Sequence, residues 1–405
     1  MEVIMKNYDL ITPEGTKDLL FEECVLRRNI EGSLHEIFKG RGYNEMITPG
    51  LEFYDVFNLN SRYFPQENLY KLTDSKGRLL VLRPDSTMPI ARVVATRLKD
   101  AVLPLKLYYN QKVYRTTPAL KGRSDEIAQT GIELIGSDLK IADLEVIATA
   151  VSSLKSFGMK FSLELGHIGI FKELVGRLNI SANQKEEIRK LIETKNFPAL
   201  NDMLDSLENS PVTNALKKLP GLFGGEEVFE KAQKLMADDK IEAILDELKA
   251  IYNDAAAICG ADGEITVDLG LVNKTDYYTG IIIKGYLQGY GREVLSGGRY
   301  DKLISEFGYD IPAVGFAVNV DAVAKVLAKS GSPVEMPCAD IIVYAEPGFE
   351  VEAIKAAQKL REEGYIVENA LFDDLELVRE YAKERKIPKI VVIDSEDDNK
   401  TEVLA

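Results

Sequence analysis

Four polar residues in two stretches of the chain could together hold the charged head of a free amino acid. Asp85, Thr87 and Gln129 offer one carboxylate and two neutral acceptors, which is what an ammonium group needs. Arg115 suits a carboxylate, because its planar guanidinium can donate two parallel hydrogen bonds. The residue types therefore indicate a site for a zwitterion, provided that the fold brings the two stretches together.

Two further residues, Glu133 and Tyr278, could bind the two nitrogens of an imidazole, which needs one donor and one acceptor. A site of this kind discriminates strongly, because a ligand without the matching groups leaves buried polar atoms unpaired. Taken singly, every residue of both sets is better explained as a polar group at a strand end or as half of a surface salt bridge, so only their combination favours a site.

The histidines and cysteines offer little to a metal or catalytic centre. His35 lies in an apolar-periodic run and is expected on a helix surface or in packing, while His167 follows a strand-like stretch and either lines a pocket or packs at the strand end. Cys24, Cys259 and Cys338 are far apart, with no CxxC spacing. We expect reduced thiols, no metal and no cofactor.

Composition is that of an ordinary globular protein with room for two or three domains in 405 residues. No segment approaches the ~20 apolar residues of a membrane-spanning helix, and residues 1–9 lack the apolar core of a signal peptide. The net charge of −15 disfavours a polyanionic partner, since phosphate contacts need Lys and Arg. We expect a cytoplasmic protein that binds neither membrane nor nucleic acid.

The elements that must position the polar residues are read from apolar periodicity. A helix is expected over 17–40, ending at Gly40 and Gly42, and a short strand before Pro49. A hairpin turns at 74–77, strands at 105–109 and 111–115 flank a turn, a strand spans 127–135, and a helix spans 139–157.

Residues 168–258 read as a helical insertion, with a capping box from Ser181 to Gln184. Strands follow at 264–269, 278–285, 293–295 and 313–320, with helices at 300–307 and up to about 330. Short turns join most strands, so the pattern predicts an α+β domain over 1–330 whose sheet is mainly antiparallel and flanked by helices.

A linker around Gly331–Pro337 precedes a small α/β domain over 338–405. Its βαβαβ order predicts a parallel sheet, and we expect the chain to end soon after the third strand, with the acidic run Glu396–Asp398 as a solvated tail.

Four segments in order resemble the class II histidyl-tRNA synthetases. They are Thr12–Asp18 (TPEGTKD), Leu82–Thr87 (LRPDST), Tyr114–Glu133 and Asp276–Asp301, the last ending in GGRYD. The resemblance implies a class II synthetase fold over 11–330 and a homodimer formed through the strand before Pro49, which is similar to motif 1. It also implies a histidine site made of Asp85, Thr87, Arg115, Gln129, Glu133, Tyr277 and Tyr278.

This chain departs from those synthetases at the positions that drive adenylation. Neutral Asn273 stands where the family has an arginine, and Thr117 replaces the glutamate that grips ATP. Ala322 falls where an arginine packs on ATP, and Asp125 replaces a second arginine, a charge reversal expected to face any nucleotide. Losing one such electrostatic contact costs about 10²–10³ in rate, so we expect no synthetase activity.

A histidyl-synthetase core without these groups resembles the regulatory subunit of the short-form ATP phosphoribosyltransferase, which starts histidine biosynthesis. The resemblance implies a non-catalytic subunit that binds histidine, activates a separate catalytic chain and mediates feedback inhibition in a hetero-octamer of four chains of each kind. The C-terminal domain resembles a truncated anticodon-binding domain. Nine Lys and Arg against seventeen Asp and Glu over 339–405 give it a net charge of −8, unlike an RNA-binding surface.

Two alternatives remain from the sequence. One is an active histidyl-tRNA synthetase with an unusual arrangement of arginines. The other is a different synthetase paralogue, either an enzyme for a non-tRNA acceptor or a translation-associated binding module. Whether the regulatory histidine occupies this pocket or an interface between subunits is also left open.

Overall fold

The structure is a computed structural model that describes residues 10–59, 64–116, 124–260, 263–272, 277–331, 334, 336–395 and 399–403. The chain forms two compact units, 1–332 and 333–405. Thr117 and Asn273 lie outside the described residues.

The first part of unit 1 runs from α1 to β7. Its elements are α1 (Glu22–Gly40), β1 (Asn44–Glu45), β2 (Leu51–Phe53), α2 (Tyr54–Phe57), β3 (Lys71–Thr73), β4 (Leu79–Leu82), α3 (Thr87–Arg97), β5 (Leu105–Tyr114), β6 (Glu126–Ile135), α4 (Lys140–Lys155) and β7 (Phe161–His167).

A mostly helical block follows and then the sheet resumes. The block contains α5 (Ile168–Gly176), α6 (Ala182–Glu193), α7 (Phe197–Asp205), α8 (Pro211–Lys218), β8 (Phe223–Gly224), α9 (Glu227–Leu235) and α10 (Asp239–Cys259); after it come β9 (Gly263–Asp268), β10 (Ile281–Leu287), β11 (Leu295–Arg299), β12 (Ala313–Asn319) and α11 (Val320–Lys329). The capping box at Ser181 and Gln184 forms as the sequence predicts.

Within the described residues, nine strands form the main sheet in the order β1-β5-β6-β12-β11-β10-β7-β9-β8. Every pairing from β5 to β7 is antiparallel, whereas β1–β5 and β7–β9 are parallel. The predicted α+β architecture, a mainly antiparallel sheet flanked by helices, is confirmed. A smaller sheet, β2-β4-β3, stands apart from it.

The alternation of apolar and polar side chains along the strands shows which face of the main sheet packs on the core and which face is available for a binding site. On β7, Leu163 and Leu165 are buried in the core, whereas Glu164 between them is half-buried on the other face. On β12, Phe316 points toward α1, where its ring lies 6.0 Å from that of Phe38. The helices therefore cover one face, and the polar alternate positions line the other.

Two predictions about local structure are wrong. The strands expected at 105–109 and 111–115 are one continuous strand, because β5 pairs with β6 along its whole length and Asn110 accepts a cross-strand bond from Thr130 at 3.1 Å. The helix expected at 300–307 is reduced to a 3-10 turn, Ile304–Phe307, and the strand before it extends through Gly297 and Gly298 to Arg299.

Unit 2 has a four-stranded sheet in the order β14-β13-β15-β16. Its elements are β13 (Ile341–Ala345), α12 (Glu350–Glu362), β14 (Val367–Asn369), α13 (Leu375–Glu384), β15 (Lys389–Ile393) and β16 (Asn399–Val403). The prediction that no further strand follows the third strand of this unit is wrong, since β16 pairs antiparallel with β15. Its polar sequence shows no apolar alternation, and ladder bonds together with the Arg379–Glu402 ion pair stabilise it. Residues 396–398 lie outside the described part.

Candidate functional site

The site begins as a row of small residues beside one carboxylate. Glu133 of β6 opposes Gly315 of β12, which opposes Gly298 of β11. A Cβ at Gly315 would lie 2.0 Å from Glu133 Oε2, so only glycine leaves room for this carboxylate. The floor of the site is therefore a stretch of sheet without side chains, on the face away from α1.

Both oxygens of Glu133 are hydrogen-bonded although its side chain is almost fully buried. Thr87 Oγ1 donates to Oε1 at 2.7 Å, and the Tyr300 hydroxyl donates to Oε2. Burial raises the pKa of Glu133 to about 8, and the negative charge of Asp85 adds to that effect, while the two hydroxyl donors oppose it. Glu133 is therefore mainly neutral at neutral pH and ionises as the pH rises through about 8.

Asp85 precedes α3 and is fixed by that helix. Its Oδ1 accepts a bond from the Met88 backbone N–H at 2.9 Å, as expected where an acidic side chain meets free N–H groups at a helix start. Burial raises the pKa of Asp85, and the positive charge of Arg115 counteracts this. Asp85 thus keeps a second carboxylate near Glu133, with one cation beside it.

Arg115 follows the last residue of β5, and its Nε donates to the Pro84 carbonyl at 2.6 Å. This bond leaves the terminal guanidinium nitrogens near Asp85 for a carboxylate. Gln129 lies on the same strand and the same face as Glu133, in register with Gln111 and Asn319. It is half-buried at the edge of the site.

An aromatic wall closes the site. The ring of Tyr277 lies 5.0 Å from that of Tyr278 and 5.7 Å from that of Tyr300. Tyr278 packs on Gly298, where a Cβ would lie 2.9 Å from the tyrosine ring, and its carbonyl accepts a bond from Lys172 at 2.7 Å. Burial raises the pKa of both Tyr277 and Tyr278, so both are neutral phenols able to donate or accept.

The structure thus brings the seven predicted residues to one region. Six of them are joined through hydrogen bonds, ring contacts or mutual charge, and Gln129 shares their face of the sheet. Sequence reasoning missed Tyr300 and Tyr109. Tyr300 stands inside the GGRYD segment that carries the resemblance, and Tyr109 opposes Gly131, a glycine that leaves room for its hydroxyl. The pairing of a tyrosine with a glycine on the neighbouring strand could have indicated that Tyr109 lies over the sheet at the site.

Asp125 differs from its expected position. It was predicted to face a nucleotide, but it is buried, the Tyr70 hydroxyl donates to its carboxylate, and its N–H bonds the Gly15 carbonyl at 2.7 Å. A Cβ at Gly15 would lie 2.6 Å from Asp125 Cγ. Asp125 therefore anchors the TPEGTKD segment.

Ala322 is buried in the first turn of α11, and its backbone N–H donates to Asn319 Oδ1.

The two histidines lie outside this group of side chains. His167 caps α5 by accepting the Gly169 N–H at 3.1 Å, and burial lowers its pKa to about 4, so it is a neutral packing residue. His35 lies on α1, within 2.7 Å of the Tyr108 hydroxyl. Within the described residues, no group of three His, Cys, Asp or Glu side chains could hold a metal ion. The described helices include none long and apolar enough to cross a membrane.

Comparison with known proteins gives this arrangement a context. A model of the histidyl-tRNA synthetase family matches residues 15–323. The ATP phosphoribosyltransferase regulatory subunit of Clostridium kluyveri is 44% identical over 388 residues, covering 95% of this chain and 99% of that protein. This chain belongs to the ATP phosphoribosyltransferase regulatory subunit family. The corresponding subunit of Bacillus thuringiensis is 39% identical over 396 residues, covering 97% and 94% of the two chains.

Solved structures agree with membership of the regulatory subunit family. A Bacillus halodurans protein described as an ATP phosphoribosyltransferase regulatory subunit/histidyl-tRNA synthetase superposes with a TM-score of 0.84 at 31% identity, covering 96% of this chain and 99% of that chain. A histidyl-tRNA synthetase from Nostoc sp. gives 0.78 at 20% identity, covering 97% of each chain, and shows the shared fold. The class II synthetase-like fold predicted from the sequence is confirmed.

The buried Glu133 predicts a pH-dependent stability. Because its pKa rises from 4.5 to about 8 on folding, the folded chain keeps a proton that the unfolded chain releases in that interval. Stability is therefore fully present below about pH 4.5 and declines by about 5 kcal/mol as pH rises to about 8, since each unit of pKa shift corresponds to about 1.4 kcal/mol. Urea unfolding at about pH 5, 7 and 9 measures this decline.

The control is Glu133→Gln, which keeps the volume and the hydrogen-bonding capacity but cannot ionise. It should remove the share of the decline that comes from Glu133. A slope should remain from Asp85, Asp143, Glu164 and Asp268, whose pKa values are raised in the same direction. Glu126→Gln, on the same strand and half-exposed, should leave the decline unchanged. Equal slopes for wild type and Glu133→Gln would show that Glu133 ionises normally.

Proposed function

We propose that this chain is a non-catalytic regulatory subunit of ATP phosphoribosyltransferase, which activates a separate short catalytic chain and makes it sensitive to histidine. The observation that carries this proposal is the 44% identity to a regulatory subunit over nearly the whole of both chains. Similarity restricted to the core would leave a synthetase equally plausible, but the match extends through unit 2.

Histidine is the proposed ligand of the pocket. Its imidazole lies between Glu133 and Tyr278, its ammonium group faces Asp85, Thr87 and Gln129, and its carboxylate faces Arg115. The two acids and one cation match the charges of a zwitterion with a basic ring. Histidine then acts by binding more tightly to one state of the assembly, and a coupling of about 1–3 kcal/mol, or 5–150-fold in affinity, is enough for feedback inhibition.

Absence of catalysis follows from the chemistry of the described positions. Ala322 offers no charge to a triphosphate, and Asp125 is committed to Tyr70 and Gly15. Adenylation needs cations aimed at the reacting phosphate, and neither position supplies one. The acidic unit 2 is likewise unsuited to bind tRNA. We place the protein in the cytoplasm, a reducing compartment that suits the reduced thiols of Cys24, Cys259 and Cys338.

Self-association as a dimer is part of the proposal. The small β2-β4-β3 sheet exposes Phe53, Leu72 and Leu51, and its register aligns Phe53 and Leu72 on either side of Leu80. Ile47, beside this sheet in sequence, is 78% exposed. An apolar face of this kind on a monomer is usually covered by a partner, and a second copy offers the same face by two-fold symmetry.

The decisive experiment mixes this chain with a short-form ATP phosphoribosyltransferase catalytic subunit. We expect the mixture to form a complex, to gain activity over the catalytic chain alone, and to lose that gain on adding histidine. Histidine-dependent exchange between ATP and pyrophosphate, measured on the same preparation, should stay at background. Exchange at the rate of an active synthetase, or no effect on the catalytic chain, would overturn the proposal.

A further inference from the structure

A second row of polar side chains crosses three strands on the same face of the sheet as the pocket. Lys284 of β10 opposes Glu164 of β7, which opposes Thr266 of β9. Directly opposed residues point to the same face. Ile282, two residues from Lys284, opposes Gly298 of the pocket floor, so this row runs beside the pocket. We call Lys284, Glu164 and Thr266, with Asp268 and Tyr286, the polar cleft.

Thr266 is the feature of the polar cleft that packing does not explain. Its residue is only 8% exposed, and its hydroxyl has no hydrogen-bond partner within the described part of the chain. A buried hydroxyl without a partner destabilises the fold, and a valine in its place would avoid the problem. The Thr266 side chain lies on the same face of the sheet as Glu164.

Two half-buried carboxylates flank this hydroxyl. Burial raises the pKa of both Glu164 and Asp268, and the negative charge of Asp268 raises the pKa of Glu164 further. Tyr286 hydrogen-bonds to Glu164, and the positive charges of Lys284 and Lys195 act on both acids. Lys195 follows α6, so the helical block contributes to the rim of the polar cleft.

The polar cleft combines two carboxylates with the two lysines that act on them, and Glu293 adds a further negative charge beside Tyr286. Glu164 and Asp268 only accept hydrogen bonds, whereas Lys284 and Lys195 only donate them. A ligand that satisfies both groups needs a strong donor and a strong acceptor with no net charge, which describes a zwitterion. Charge-assisted bonds of this kind are about twice as strong as neutral ones, so a sugar with vicinal hydroxyls fits less well.

We propose that the polar cleft is a second subsite, distinct from the imidazole pocket, that binds the head group of a free α-amino acid. Its ammonium group lies at Glu164, Asp268 and Thr266, and its carboxylate lies at Lys284 and Lys195. This subsite does not depend on the proposed regulatory function, since it involves none of the seven pocket residues.

The test uses the full chain with ¹³C-labelled tyrosine, and glycine as the smallest zwitterion. The ring signals of Tyr286 should shift on titration and saturate at millimolar glycine, as expected for so small a ligand. Ribose 5-phosphate is titrated in parallel. A shift with ribose 5-phosphate but not with glycine would overturn the assignment to an amino acid, and no shift with either would remove the subsite.

A matched pair of variants separates binding from folding. Thr266→Val should weaken glycine binding about tenfold while leaving the chain as stable as the wild type or more so, because it removes an unpaired buried hydroxyl. Thr266→Ser keeps the hydroxyl and should bind nearly as the wild type does. Glycine binding unchanged in Thr266→Val would contradict the proposal.

A third variant separates this subsite from the pocket. Asp85→Asn alters the pocket and should leave the Tyr286 shift intact, whereas a loss of the shift would place glycine in the pocket and overturn the second subsite. The proposed regulatory function is judged by a different measurement, the activity of the mixed subunits, so either proposal can fail alone.

Discussion

Replacing Glu133 with alanine should weaken histidine binding by about 100-fold or more, since a site built to hydrogen-bond a ligand loses most of its discrimination when its charged partner is removed. Glu133 is the acceptor on the imidazole side of the pocket, and Gly315 provides the space that it occupies. Its removal also leaves the Tyr300 hydroxyl without the acceptor it now has. Calorimetry on the isolated chain measures the loss.

Histidine binding should also change the protonation of Glu133. At neutral pH Glu133 is mainly neutral in the free protein, because its pKa lies near 8. An imidazole N–H prefers the carboxylate, so binding should release a proton and affinity should rise with pH, by at most tenfold per unit, until about pH 8. Buffers of different ionisation enthalpy reveal the released proton.

Controls separate this effect from unfolding. Glu133→Gln keeps the side-chain volume and should also bind histidine weakly, but without proton release. Glu126→Ala removes a carboxylate from the same strand on the opposite face and should bind as the wild type does. Wild-type affinity in Glu133→Ala would show that histidine does not use this pocket.

Replacing Arg299 with alanine should lower the free energy of unfolding by about 3–5 kcal/mol, the cost of removing one partner from a buried ion pair. Its Nε donates to Asp143 Oδ1 at 2.9 Å, and its Nη1 donates to Asp301 and to the Ser137 carbonyl, each at 3.1 Å. Its Nη2 forms an ion pair with the same Asp143 oxygen at 2.8 Å. Burial raises the pKa of Asp143 to about 6 even beside this cation, so without it the acid would be left buried and unpaired.

Loss of the Arg299 contacts should also disturb the pocket, because Arg299 precedes Tyr300 and joins the end of β11 to α4. We expect weaker histidine binding in Arg299→Ala at temperatures where the variant is still folded. Arg292→Ala, an exposed arginine just before β11, is the matched control and should change neither quantity. An apolar pair, Arg299→Met with Asp143→Leu, should recover part of the stability. Stability within about 1 kcal/mol of the wild type in Arg299→Ala would contradict a structural role for this pair.

The local sequence pattern was sufficient to predict a strand or helix wherever burial of one face gives the apolar residues a regular spacing. The alternation on β7 and the helical spacing of α1 are visible in the sequence, because one face of each element must be apolar. The capping box at Ser181 is visible as well. The pattern failed at β16, whose polar residues are held by pairing with β15 rather than by a buried face. It also failed at Asn110. Asparagine is common in turns, but here it lies inside β5, which pairs with β6 along its whole length.

The sequence by itself determined the fold class and the order of the motifs, and it predicted the seven polar residues of the proposed histidine site, because these residues stand at fixed positions within recognisable motifs. Only the tertiary structure decided what those residues touch. It placed Asp125 under Gly15, brought Tyr300 to Glu133, and aligned Thr266 with Glu164. Strand register and burial fix such contacts, and both arise from residues far apart in the chain.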